Sequence, residues 1–133
     1  FPVGGRDVAR PEIVLVAGDG QGPMRRYEYR EGTWVGRDLL PWVRDGHSIE
    51  IADVDGDGHL DVFSAEMRLG HTPDAKSRIL LGDGAGTFQV QVVSQGYGHH
   101  EAKIADLDGD LDILAKPYTW DAPRIDVWLQ DGR

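Results

Sequence analysis

Asp53-Val54-Asp55-Gly56-Asp57-Gly58-His59-Leu60-Asp61 places four carboxylates at positions 1, 3, 5 and 9 of one short stretch. Glycines at 56 and 58 let the backbone wind tightly around a point. Four Asp side chains turned into one small volume repel each other unless a cation sits between them. Several hard oxygen ligands on a flexible loop suit calcium better than zinc or magnesium. A metal-free Asp-Gly turn needs one or two Asp, not four at ligand spacing. The expected ligands are Asp53, Asp55, Asp57 and Asp61, with the backbone carbonyl of His59 at position 7.

The spacing is the first part of an EF-hand-type loop, D-x-[DN]-x-[DN]-G. Its flanks are not helical. Ser48-Ile49-Glu50-Ile51-Ala52 before it and Leu60-Asp61-Val62-Phe63-Ser64-Ala65 after it fit half-buried strands, so the loop joins two strands. The stretch returns once, 53 residues on: His100-Glu101-Ala102-Lys103-Ile104-Ala105-Asp106-Leu107-Asp108-Gly109-Asp110 matches His47 to Asp57. The second copy then skips the Gly58-His59 pair and resumes at Leu111-Asp112-Ile113-Leu114. Asp106, Asp108, Asp110 and Asp112 form a second candidate cage without the position-7 carbonyl, so a cation site and a plain turn both stay open there.

The 133 residues suffice for one ordinary domain. With no Cys, neither disulfides nor thiolate metal sites can form. The net charge of −9 argues against nucleic acid as a partner. Bound calcium would offset part of it, because the two loops hold eight Asp. No apolar run reaches the roughly 18 residues of a membrane span. The chain starts Phe1-Pro2-Val3, as a processed protein or an excised fragment would. Free calcium is scarce in cytosol and plentiful outside it, so an extracellular or periplasmic location is expected.

Strands recur along the whole chain. Pro11 to Ala17 is rich in β-branched residues and aligns with Leu60 to Glu66. Asp7-Val8-Ala9-Arg10 sits where a metal loop would be, without its ligands. A turn cluster spans 18–23, further strands begin at Met24 and near Thr33, and Pro41-Trp42-Val43 ends the unit. Strands follow near 48–52, 60–66, 78–82 and 87–94, then near 101–105, 111–116 and 124–129. Gln130-Asp131-Gly132 stands where Gly82-Asp83-Gly84 stood. Repeats of this length with four short strands each predict an all-β fold of β-propeller blades. The units are 1–46, a degenerate first blade; 47–97, a complete blade; and 98–133, a third blade without its last strand. Two and a half to three blades do not close a ring, which implies further blades from a longer chain or from a homo-oligomer.

Ile51 to Val62, followed by Leu81-Gly82-Asp83-Gly84-Ala85-Gly86-Thr87-Phe88, resembles the FG-GAP/VCBS repeat of integrin alpha-chain propellers and secreted bacterial proteins. The resemblance is good over about 47–133 and weak over 7–46. It implies a propeller whose calcium loop joins the first two strands of a blade, and it is silent on activity.

In that geometry the starts of the first strands gather near the axis, on the face opposite the loops. They bring together His47, His99 and His100, with Glu66, Arg68, His71, Lys116 and Tyr118. Two roles compete. Each His could bond a neighbouring blade's backbone and set blade spacing. Alternatively, the set could hold a transition metal or run sugar β-elimination as a lyase or dehydratase in a site around His47 and His100, with His100 or Tyr118 as the base and Lys116 or Arg68 holding the developing charge. Trp120, Tyr118 and Arg68 are the candidates for contacting a ligand, with loop Trp120 placed to stack on a sugar ring; Trp42 is also read as a loop residue. Trp34 and Trp128 are expected between blades, and Arg25-Arg26 on the solvated surface. The leading expectation is a calcium-stabilised secreted module that binds carbohydrate or an extracellular protein. The enzyme and a purely structural or adhesive repeat are its alternatives.

Overall fold

A computed structural model describes residues 10–118 and 123–131. Among these residues there is no helix, and ten strands form three antiparallel sheets. The first sheet is β1 (Ile13–Leu15), β2 (Gln21–Arg30) and β3 (Thr33–Arg44), side by side in chain order. The second is β4 (Gly46–Ala52), β5 (Asp61–Glu66), β6 (Lys76–Gly82) and β7 (Phe88–Gln95), again in chain order. The third is β8 (His99–Asp106), β9 (Leu111–Pro117) and β10 (Asp126–Trp128). These are meander sheets of the propeller-blade type, one with four strands and two with three.

Local chemistry sets the turns. Glu31 and Gly32 both take positive φ (49° and 87°) between the paired residues Arg30 and Thr33, the two-residue hairpin whose twist matches its strands. Pro41 lies in β3, an edge strand, where its missing N–H costs no ladder bond on the open side. The predicted turn at 18–23 is shorter than expected, because Gln21, Gly22 and Pro23 already belong to β2.

The sheets stack face on face. Met24, Leu40 and Val43 of the first pack on Val62 and Leu80 of the second. On its other side the second sheet sets Phe63 and Ala65 against Ala102, Ile113 and Ala115 of the third. Every residue of β5 is therefore buried. Successive residues of a strand point to opposite faces, which is why Val62 serves one seam and Phe63 the other.

Among the described residues, the two outer sheets each keep one uncovered face. In β1, Val14 packs inward while Ile13 and Leu15 are exposed. In β10, Trp128 packs inward while Val127 is exposed. This corrects the placement of two tryptophans. Trp34 does not lie between blades: it is on the open face of the first sheet, edge-on to Tyr29 at 5.3 Å. Trp42 is not in a loop but in β3, and it is exposed. Arg26 is a further correction, because it is largely enclosed and pairs with Glu28 and with Glu12 rather than with solvent.

Candidate metal centre

The first acidic loop hangs between β4 and β5, with Asp53 just after one strand and Asp61 opening the next. Carboxylate oxygens of Asp53, Asp55 and Asp61 lie within 4.8 Å of one another. Side chains wind the loop. Asp53 Oδ2 accepts from the Gly58 amide at 2.9 Å, and Asp57 Oδ1 accepts from the His59 amide at 2.8 Å. Asp57 thus caps a local turn and stands apart from the trio. Gly56 and Gly58 take φ of 73° and 92°, which an L side chain would resist.

Asp61 is the brace. It is fully buried, and its two oxygens accept from the amides of Val54 and Gly82, each at 2.8 Å. It therefore ties the loop to the β6–β7 hairpin. That hairpin is held close: a Cβ on Gly82 would sit 2.4 Å from the Leu60 carbonyl, and one on Gly84 would meet the His59 ring at 2.3 Å. These contacts explain the Gly-Asp-Gly that follows β6, and they put the His59 ring in the packing.

The second loop repeats the brace and changes the cage. Asp112 accepts from Leu107 at 3.0 Å and from Gln130 at 2.9 Å, the counterparts of the two Asp61 bonds. Asp106 accepts from the Gly109 amide at 2.7 Å. The converging trio is Asp108, Asp110 and Asp112, one step along from the first loop's set. Burial pushes the Asp110 carboxyl above the usual range, and the neighbouring charges of Asp108 and Asp112 add to it. One oxygen in each loop, Asp53 Oδ1 and Asp110 Oδ1, is buried with no hydrogen-bond partner. Such an atom is costly unless something satisfies it. A hard divalent cation would do so, and both carboxylate sets fit one.

At the opposite end of β4 and β8 the predicted axial residues do meet. The His47 and His100 rings stack with centroids 4.1 Å apart, and Tyr118 stacks on the far side of His100 at 5.1 Å. His47 Nδ1 lies 2.9 Å from the His100 carbonyl, a bond from one sheet to the backbone of the next. Face-to-face imidazoles carry their nitrogen lone pairs side by side rather than toward a common point. Below them Lys103 pairs with Glu50 at 2.6 Å, again at equivalent places in the two units. Lys116 Nζ donates to the Pro117 carbonyl at 2.8 Å. Arg68 is exposed, and its backbone abuts Gly98. Trp120 lies outside the described residues.

The other expected members of that set are separated from it. Glu66 is buried and accepts from the amides of Arg44 and Lys76 and from the Arg78 guanidinium at 3.2 Å. His71 turns to Asp45, 2.8 Å away. His99 is wholly enclosed, with Nδ1 2.7 Å from Ser77 Oγ and Nε2 3.3 Å from Asp126. Ser77, His99 and Asp126 have the composition of a nucleophilic triad, but Ser77 is also wholly enclosed, so no substrate reaches its hydroxyl.

Asp45 is a residue the sequence did not flag. It is 2% exposed and has a φ of 47°, in the left-handed region. It accepts from the Gly20 amide at 3.0 Å and the Thr72 hydroxyl at 2.6 Å. Burial works against its ionisation. The bonds from Thr72 and Gly20, with His71 beside it, more than offset that and hold its carboxyl below the usual range. Its alignment with Gly98, which shares the left-handed backbone at φ 63°, was the one available signal.

Stacked meander sheets of three or four strands, two of them with an acidic loop between their first two strands, define a β-propeller repeat module. Residues 10–64 match the family model described as FG-GAP-like repeat. No curated protein and no solved structure gives a significant match. The matched span takes in the whole first sheet and runs through the Asp53–Asp61 loop into β5.

Proposed function

We propose that this chain is a calcium-stabilised segment of an extracellular or periplasmic propeller, and that it serves recognition of a carbohydrate or a protein rather than turnover. The carrying observation is the convergence of Asp53, Asp55 and Asp61 within 4.8 Å around a buried, unpartnered Asp53 oxygen. Oxygen-only donors on a glycine-containing loop match calcium's preferences, with the His59 carbonyl available to complete the set. The cation's contribution is charge neutralisation: it lets carboxylates converge at the end of β4 and fixes the approach of β5. The axial rings support recognition over proton transfer, since His47 is bonded to backbone and both imidazoles lie stacked.

Calcium titration of chelator-stripped protein by calorimetry tests the reading, with Asp55→Ala as control. Asp55 is exposed, so the variant folds. Wild type should bind about one to two calcium ions per chain and gain on the order of 2–3 kcal/mol at about a hundredfold excess over Kd. The variant should lose that gain and match wild type in chelator. An equal loss of stability in both conditions would sink the metal assignment. Retention on immobilised glycans without product, reduced in Tyr118→Ala, would separate recognition from turnover.

A further inference from the structure

The seam between the second and third sheets contains a group the calcium reading does not use. His99 is the largest wholly enclosed polar side chain among the described residues. It opens β8, yet it bonds Ser77 on β6 and Asp126 on β10, and its ring stands edge-on to Trp128 at 4.9 Å. We propose that His99 is an acid-sensitive latch holding the third sheet on the second.

In the neutral ring, Nδ1 accepts the Ser77 hydroxyl and Nε2–H donates to Asp126, so one tautomer satisfies both contacts. A proton added at Nδ1 makes that atom a donor and deprives the Ser77 hydroxyl of its acceptor. Ser94, paired with Ser77 across β6 and β7, has a buried hydroxyl without a partner and can take up the displaced bond. The charge itself is harder to accommodate. Among the described residues, the charged groups facing the ring are Asp126 and, bonded to it, Arg124, whose Nε is 2.6 Å from Asp126 Oδ1. Arg124 already neutralises the one carboxylate within reach, so an enclosed imidazolium gains little in return for its lost hydration.

Burial lowers the tendency of His99 to take a proton; Asp126 opposes this and Arg124 reinforces it, leaving the group below its ordinary value. The folded state then binds fewer protons than the unfolded chain. The stability from this group is complete above the unfolded-state value near 6.5 and is lost as pH falls from there toward the folded-state value.

The test is thermal unfolding of the whole chain in saturating calcium from about pH 7.5 to about pH 5, for wild type and His99→Gln. Wild type should lose about 3–5 °C more than the variant over that range. The same acid-induced loss in both proteins would overturn the latch. A second measurement needs no variant. The His99 ring, assigned by its contact with Trp128, should titrate below its ordinary value by NMR, with amide exchange rising in β8 to β10 as it does so. A His99 that titrates at or above about 6.5 overturns the proposal, whatever the variant does.

Discussion

The acidic loops at 53–61 and 106–112 end alike and differ in the middle. Asp61 and Asp112 each accept two backbone amides, one from their own loop and one from a distant residue, Gly82 at the end of β6 or Gln130 just past β10. Together with this brace the first loop gathers positions 1 and 3, and the shorter loop gathers the counterparts of positions 3 and 5. The difference separates two jobs that the sequence writes as one motif. The last Asp is part of the blade's hydrogen-bond structure. It also belongs to the converging trio, whose other two members change when two residues are deleted.

The strongest way to break this comparison is Asp61→Ala. It strands the amides of Val54 and Gly82, and Asp61 itself is fully buried. At roughly 1–3 kcal/mol for each buried group left unsatisfied, a loss of about 2–5 kcal/mol is expected in urea unfolding in chelator, with the stabilisation by calcium lost in addition. A loss seen only in calcium would mean that Asp61 is simply another ligand. Asp112→Ala should likewise lose stability in chelator, where no cation is bound.

A second contrast sits at the strand starts. Asp45 and Gly98 hold the same left-handed backbone, but Asp45 also binds Gly20 and Thr72, whereas a Cβ at Gly98 would come within 2.3 Å of the Arg68 amide nitrogen. The two positions should therefore not exchange. Gly98→Asp forces the Arg68 backbone aside and should cost about 2–4 kcal/mol. Asp45→Gly relieves the backbone and loses the acceptor, for a net cost of about 1–2 kcal/mol. Because the folded-state pKa of Asp45 lies below its unfolded value, its contribution is present above roughly pH 4 and disappears as pH falls through the folded value. Acid unfolding of Asp45→Asn should consequently show a shallower low-pH limb than wild type; an unchanged limb would remove Asp45 from the account.

What could be read in advance follows from how local each feature is. The strands of the second unit were visible because alternation and the flanking glycines lie within a few residues. The repeat then carried that reading to the third unit. The seams were not visible. Ser77, His99 and Asp126 are 22 and 27 residues apart, and they meet only because stacking sets β6 against the third sheet, in which β9 lies between β8 and β10. Trp34 misled because an aromatic in a blade is expected to be covered, and nothing in the residue itself shows that, among the described residues, its side of the sheet has no neighbour; Trp42 misled because Pro41 reads as the end of a strand, whereas β3 runs on to Arg44. Arg26 misled in the opposite sense, since its partners Glu12 and Glu28 come from β2 and from the segment before β1.

The gentlest change sharpens the loop comparison most. Inserting Gly-His after Asp110 restores the residues that the second loop lacks, and with them a backbone carbonyl at position 7. The brace should be untouched, because Asp112 draws on Leu107 and Gln130, both outside the insertion. Stability in chelator should therefore change by less than about 0.5 kcal/mol. The cage, by contrast, should shift toward the first loop's geometry and gain a ligand. Its calcium affinity should then rise about tenfold, or about 1.4 kcal/mol, read as a tightening of the weaker site in calorimetry. If affinity is unchanged while stability holds, the trio of Asp108, Asp110 and Asp112 is already a complete site and the two missing residues have no part in binding. If stability falls in chelator, the brace depends on loop length, and the division between brace and cage fails.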